Sequence, residues 1–194
     1  MNYNDLRYIN TEDNLKNAFF HLLETHRLED ISITALCTEA RCSRNAFYQH
    51  YPTKCDLFNS VMNDMLTVIV DSTRPKITNK NVIDDRVIQE YTFRLLDIID
   101  AHKNELKSLL NGNDMAPVFL SDALYQSFLQ HYLLVADMEE ITEQEKIVTK
   151  YFSSGIAGFI EQWINDDNIS LDDAKHYLDL CTRDNLRKIR DLLS

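Results

Sequence analysis

Apolar residues recur along this chain at intervals of three and four, the spacing that lays them on one face of an α-helix. Leu15, Ala18, Phe19, Leu22 and Leu23 form the first such stripe. Thr11, followed by Glu12 and Asp13, predicts its N-cap and an acidic first turn, with the helix running to about His26. Ile31, Ile33, Leu36 and Ala40 predict a short second helix capped by Ser32, and a third runs from 44 to 51 behind a Ser43 cap. Pro52 stops it. Thr53 with Asp56 reads as a variant capping box opening a fourth helix, which carries Leu57, Phe58, Val61, Met65 and Leu66 toward a core.

Residues 71–81, polar and holding Pro75, read as a loop. Beyond it the periodicity predicts helices over 82–101, 103–110, 117–136, 143–164 and 171–192, with Asn111-Gly112-Asn113-Asp114 as a break. Thr142 with Glu145 forms a full capping box, and Ser170 with Asp173 a weaker one. The pattern predicts an all-α protein of about nine helices: an N-terminal three-helix domain over 1–55 and a larger helical domain over 56–194. Composition agrees, since three glycines and three prolines in 194 residues are too few for the turns of an all-β plan.

Two short helices joined by a three-residue turn, between two longer helices, have the layout of a helix-turn-helix, whose second short helix enters the major groove of DNA. A net charge of −11 runs against nucleic-acid binding. Its distribution does not: between Ser32 and Lys54 the charged residues are Glu39 against Arg41, Arg44 and Lys54, roughly +2, while acidic residues gather later, as at Asp166, Asp167, Asp172 and Asp173.

The wording of this segment resembles the TetR/AcrR family of bacterial regulators. Ser32, Ala40, Ser43, the Phe47-Tyr48 pair, Tyr51, Lys54 and Leu57 stand at the places of that family's pattern. Arg41 occupies the usual turn glycine, and Asn45 a position where a small residue is common. A left-handed Arg41 would cost on the order of 1 kcal/mol, which leaves open that the turn closes by another geometry.

Helical geometry divides the third helix: Phe47 and Tyr51 pack inward beneath Leu36 and Ala40, while Arg44, Asn45 and Tyr48 point outward. Arg44 can donate two hydrogen bonds to guanine, Asn45 can pair with adenine, and Ala46 can touch a thymine methyl. The resemblance implies Tyr48 and His50 as phosphate-backbone contacts, with Ser32, Thr34 and Ser43 as lesser ones. Lys54 adds a point charge where the free N–H groups of a helix start already attract phosphate.

In the second domain, Ile147-Val148, Tyr151-Phe152, Gly155-Ile156, Phe159-Ile160 and Trp163-Ile164 are apolar pairs every four residues, a stripe wide enough for a core and a partner together. The family dimerises through its last two helices, which puts Tyr151, Gly155, Phe159, Tyr177, Cys181 and Ile189 at a homodimer interface. Apolar residues surround most of the helix over 117–136, and the resemblance implies an effector pocket for which Tyr91, His102, Tyr125, Phe128, His131, Tyr132, Phe152 and Trp163 are candidates. The expected partners are a palindromic double-stranded DNA operator, a second copy of the chain, and an unidentified small-molecule or protein effector.

The expected function is a transcriptional regulator, a repressor released from its operator by an effector; the alternative is a regulator whose second domain answers to a protein partner, as an activator. No Gly-rich phosphate loop, His-Glu-x-x-His, Gly-x-Ser-x-Gly or zinc-type cysteine spacing occurs, so neither an enzyme nor a cofactor or metal is expected. With no secretory leader and no run of about 18 apolar residues, the expected location is the cytoplasm, without membrane insertion. There Cys37, Cys42, Cys55 and Cys181 read as small buried side chains or, alternatively, as redox-sensing thiols.

Overall fold

The structure, a computed structural model, describes residues 6–73, 85–136 and 140–193; the side chains of 85, 87, 88, 131–136 and 183–193 fall outside that description. Among the described residues there are nine helices and no strands: α1 (Leu6–Leu23), α2 (Ile33–Glu39), α3 (Arg44–His50), α4 (Lys54–Ser72), α5 (Asp85–Ala101), α6 (Lys103–Gly112), α7 (Ala116–Ala136), α8 (Glu143–Asn165) and α9 (Leu171–Leu193). The all-α expectation holds.

Local chemistry sets most of the starts. Ser32 and Ser43 accept hydrogen bonds from the backbone N–H groups of Ala35 and Ala46, each at 3.1 Å, as N-caps do. Thr53 and Asp56 cap α4 reciprocally: Thr53 N and Oγ1 donate to Asp56 Oδ2 at 2.9 and 2.7 Å, and Asp56 N donates back to Oγ1 at 3.2 Å. Thr142 and Glu145 do the same for α8, and Ser170 and Asp173 for α9.

Two expectations require correction. Thr11 is not a cap: α1 already runs from Leu6, and the Thr11 hydroxyl donates to the Arg7 carbonyl at 2.7 Å. A threonine inside a helix satisfies its hydroxyl on the preceding turn, and the sequence pattern does not separate that use from capping. The expected break does fall between α6 and α7, but it begins after Gly112, which does not itself serve the turn. It is the last residue of α6, buried and without a positive φ, and a Cβ there would lie 2.7 Å from Leu23 Cδ2. Close approach, not conformational freedom, is what requires glycine at this position.

The chain forms two compact units, one of residues 1–65 with 104–116 and the other of 66–103 with 117–194. In the first, Leu15, Phe19, Leu36, Phe47, Leu57 and Phe58 are fully buried, and the Phe19 and Phe58 rings meet edge to face at 6.3 Å. The returning segment is tied in by polar contacts: Leu28 N donates to the Gly112 carbonyl at 2.9 Å, and Arg27 pairs with Asp114. In the second unit α5 packs along α9, which also meets α8. Leu95, Leu96, Ile99, Ile160, Trp163, Ile164 and Leu178 are buried there.

Candidate nucleic-acid interface and regulatory surfaces

The turn between α2 and α3 closes with Arg41 at φ +53°, so the left-handed geometry is kept without its glycine. Arg41 N donates to the Thr38 carbonyl at 3.2 Å, and Cys42 N reaches back to the Cys37 carbonyl at 3.0 Å. This pair of bonds is a Schellman motif, which satisfies two carbonyls that the end of α2 would otherwise leave open. The alternative of another turn geometry is thereby overturned: the motif requires a left-handed residue at this place, and the strain on Arg41 is accepted.

From that turn α3 presents two faces. Phe47 is fully buried and Tyr51, its C-cap, is 6 % exposed. Arg44, Asn45 and Tyr48 are exposed, Tyr48 at 47 %, and Ala46 is half-buried. Gln49 is exposed as well and follows Asn45 by one helical turn. Sequence reasoning passed over it, although the four-residue spacing places it on the Asn45 face. Thr34, Ser32 and Ser43 are exposed around this face, with both serine hydroxyls already engaged as caps.

His50 and Lys54 sit differently. The His50 side chain is only 3 % exposed, stacked on the Tyr8 ring at 3.8 Å, with Nδ1 3.9 Å from Glu12 Oε2. Nδ1 is buried and has no hydrogen-bond partner. Burial lowers its pKa, against the raising effect of Glu12. The Lys54 ammonium donates to the carbonyls of Glu29 at 2.7 Å and Ile31 at 2.9 Å, engaging two of its three donors in the loop before α2. Lys54 therefore ties that loop to the start of α4.

Glu12 anchors the end of α3 to α1: its Oε1 accepts from the Tyr51 hydroxyl at 3.2 Å and pairs with Lys16 at 3.1 Å, while Lys16 also reaches Asp64 at 2.7 Å. Burial raises the Tyr51 phenol to about 12, so it donates at any ordinary pH.

In the second unit the pocket candidates do not form one cluster. Tyr91 is buried, its ring 5.1 Å from Phe128 and its hydroxyl 3.4 Å from Ser127, which brings α5 and α7 together. Tyr125 is half-buried beneath the Lys150 ammonium, 5.3 Å from the ring centre. Trp163 is 1 % exposed, donates from Nε1 to the Ile169 carbonyl at 3.2 Å and carries Lys103 over its face. His102 and Phe152 are half-buried. The side chains of His131 and Tyr132 lie outside the described residues, as does that of Ile189.

The wide α8 stripe splits as its width suggested. Ser153, Ile156, Ala157, Ile160, Trp163 and Ile164 are buried. On the other side Ile147 is 69 % and Tyr151 67 % exposed, and an added Cβ at Gly155 or Gly158 would meet nothing within 4 Å. Phe159 is half-buried. On α9, Tyr177, Leu180 and Cys181 are exposed. Cys55 is exposed too, so the expectation of buried cysteines holds for Cys37 alone, Cys42 being half-buried. A small apolar side chain stays buried only where its helix face meets another element, and periodicity did not place these two.

No protein-family model matches the sequence, and no curated protein matches it. Solved structures are. A TetR-family transcriptional regulator from Streptomyces coelicolor superposes with a TM-score of 0.63 at 15% identity, over 87% of this chain and 78% of that one. A TetR transcriptional regulator from Rhodococcus sp. RHA1 gives 0.58 at 17% identity, over 96% and 97%. The TetR family repressor AlkX from Dietzia sp., implicated in biodegradation of n-alkanes, gives 0.55 at 14% identity, over 91% and 95%. Likeness over nearly the whole chain at such low identity is a likeness of architecture, and this chain has the fold of the TetR-family transcriptional regulators.

Proposed function

We propose that this protein is a cytoplasmic transcriptional regulator that binds double-stranded operator DNA as a homodimer, with α3 in the major groove, and that it is a repressor released by an effector. The observation that carries the reading is the division of α3: Arg44, Asn45, Tyr48 and Gln49 stand in solvent on a helix whose other side, Phe47, is fully buried. Any surface helix turns polar groups outward; what favours DNA here is that the outward set is Arg, Asn, Gln and Tyr, the types that read base edges and phosphates, on the second short helix of a helix-turn-helix. Arg44 reads guanine, Asn45 and Gln49 read adenine, and Tyr48 meets a phosphate. Ser32, Thr34 and Ser43 flank the backbone.

His50 and Lys54 contribute by position. His50 holds the end of α3 against Tyr8, and Lys54 fixes the α4 start, whose N-terminal N–H groups face phosphate with the help of its third donor. Among the described residues no helix is long and apolar enough to cross a membrane, and no group of three or more potential metal ligands occurs.

The exposed Ile147, Tyr151 and Gly155 of α8, with half-buried Phe159 beside them, and the exposed Tyr177 and Cys181 of α9 support dimerisation, since a monomer rarely leaves such a run uncovered. Two recognition helices would then read the halves of a palindrome. The effector, a small molecule or a protein, is assigned to the second unit on the family resemblance alone, since Tyr91 is packed against Ser127 and Phe128; an effector acts only if it prefers one arrangement of the dimer.

The test is a mobility shift on genome-selected DNA with a salt series, comparing the protein with Arg44→Ala and Tyr48→Ala. Specific binding that weakens with salt is expected. Arg44→Ala should cost about 1–3 kcal/mol and relax preference at one base pair. Absence of any specific shift, or retention of full affinity in both variants, overturns the assignment.

A further inference from the structure

We propose that Cys37 and Cys42 form a redox-active thiol pair whose closure to a disulfide displaces the start of α3 and weakens DNA binding. The proposal rests on the DNA-binding reading for its consequence, but not for its chemistry.

The two residues are the ends of the Schellman motif, joined by the Cys42 N to Cys37 carbonyl bond of 3.0 Å. Such motifs bring the side chains of these two positions together as an apolar contact. Here both of those positions are thiols, and Cys37 is near enough to act on the Cys42 thiol. Cys37 is 5 % exposed and Cys42 is half-buried, so a reagent reaches Cys42 first while Cys37 waits beneath it. Burial in the turn raises the Cys42 thiol to about 11, and Cys37 adds to that rise. At neutral pH the pair therefore rests as thiols, and closure is slow, answering sustained oxidation rather than a brief pulse.

The co-reactant is a low-molecular-weight disulfide. The Cys42 thiolate attacks one of its sulfurs, forming a mixed disulfide and expelling one thiolate; the Cys37 thiolate then attacks the Cys42 sulfur and expels the second. The protein gives up two electrons and two protons, and the reagent leaves as two thiols. A sulfur–sulfur bond of about 2.05 Å is much shorter than a thiol–thiol contact. Cys37 is held in the core, so Cys42 must move. Cys42 directly precedes Ser43, the cap of α3, and Arg44 follows it, so the shift falls on the residues that read DNA.

The full chain is incubated with oxidised glutathione and digested without reduction. Trypsin cuts after Arg27, Arg41 and Arg44, so the disulfide joins the peptide 28–41 to the peptide 42–44. That cross-link, cleaved by dithiothreitol, is expected, together with faster hydrogen exchange at the start of α3 and operator affinity lower by about tenfold or more. Cys42→Ser should abolish the response to oxidant. Folded protein that keeps both thiols, or stops at glutathione on Cys42, overturns the proposal, as does a cross-link with unchanged α3 exchange and unchanged affinity. If the reduced protein binds no DNA, the functional reading fails, while the cross-link and the exchange still decide whether the pair closes and moves α3.

Discussion

Replacing Arg41 with glycine should make the protein more stable. Arg41 holds φ at +53°, a region that costs an L-residue about 1–2 kcal/mol. Glycine enters it freely but gives up more chain entropy on folding, about 0.5–1 kcal/mol against alanine. The Arg41 side chain is exposed, so little buried area is lost, and both turn hydrogen bonds use backbone groups that the substitution leaves in place. The balance is a gain of about 0.5–1 kcal/mol, or roughly 1–4 °C in Tm for a chain of this length. Thermal unfolding followed by circular dichroism reads it, with Arg41→Ala as the control that removes the same charge while keeping the strained backbone. A gain in both variants would assign the effect to charge, and no gain in the glycine variant would refute the left-handed turn.

Other consequences can be measured in the same way. Because burial lowers the His50 pKa below its unfolded value, the stability this imidazole contributes is present above about pH 6.5 and is lost as pH falls through the lower folded value. Unfolding curves at pH 7.5 and 5.0 should differ less for His50→Gln than for the parent. Lys54→Met leaves the Glu29 and Ile31 carbonyls without their donor and should cost about 1–3 kcal/mol in denaturant titration, and a loss of DNA affinity without a loss of stability would show that the ammonium serves phosphate alone. Ile147→Asp with Tyr151→Arg should give a folded monomer by sedimentation equilibrium, whereas an unchanged oligomer would remove this face from the interface.

The elements legible in the sequence were those fixed by neighbours along the chain. Ser32, Ser43, Thr53 with Asp56, and Thr142 with Glu145 act within four residues of themselves, and the structure bears out each as a cap. The split of α3 into Phe47 inside and Tyr48 outside follows from helical geometry alone. What escaped depends on residues far away in sequence. Lys54 finds carbonyls more than twenty positions earlier, His50 is covered by Tyr8, and Gly112 is demanded by Leu23. Arg41 shows a different limit: glycine is the cheap answer to a left-handed position, and its absence does not mean the position is absent. Gln49 was legible but passed over, since the spacing that marked Asn45 marks it equally.

The first unit is completed by residues 104–116, which supply the Gly112 carbonyl to Leu28 and the Asp114 carboxylate to Arg27. On the ribosome, therefore, the helix-turn-helix emerges long before its last structural member, and some forty intervening residues of the other unit must be made first. A truncated N-terminal fragment would carry every exposed side chain of α3 yet uncover the Leu23 surface against which Gly112 packs. The unit that holds the helix-turn-helix is thus encoded on both sides of a stretch of the other, and a simple fusion at residue 65 would transplant it without the segment that completes it.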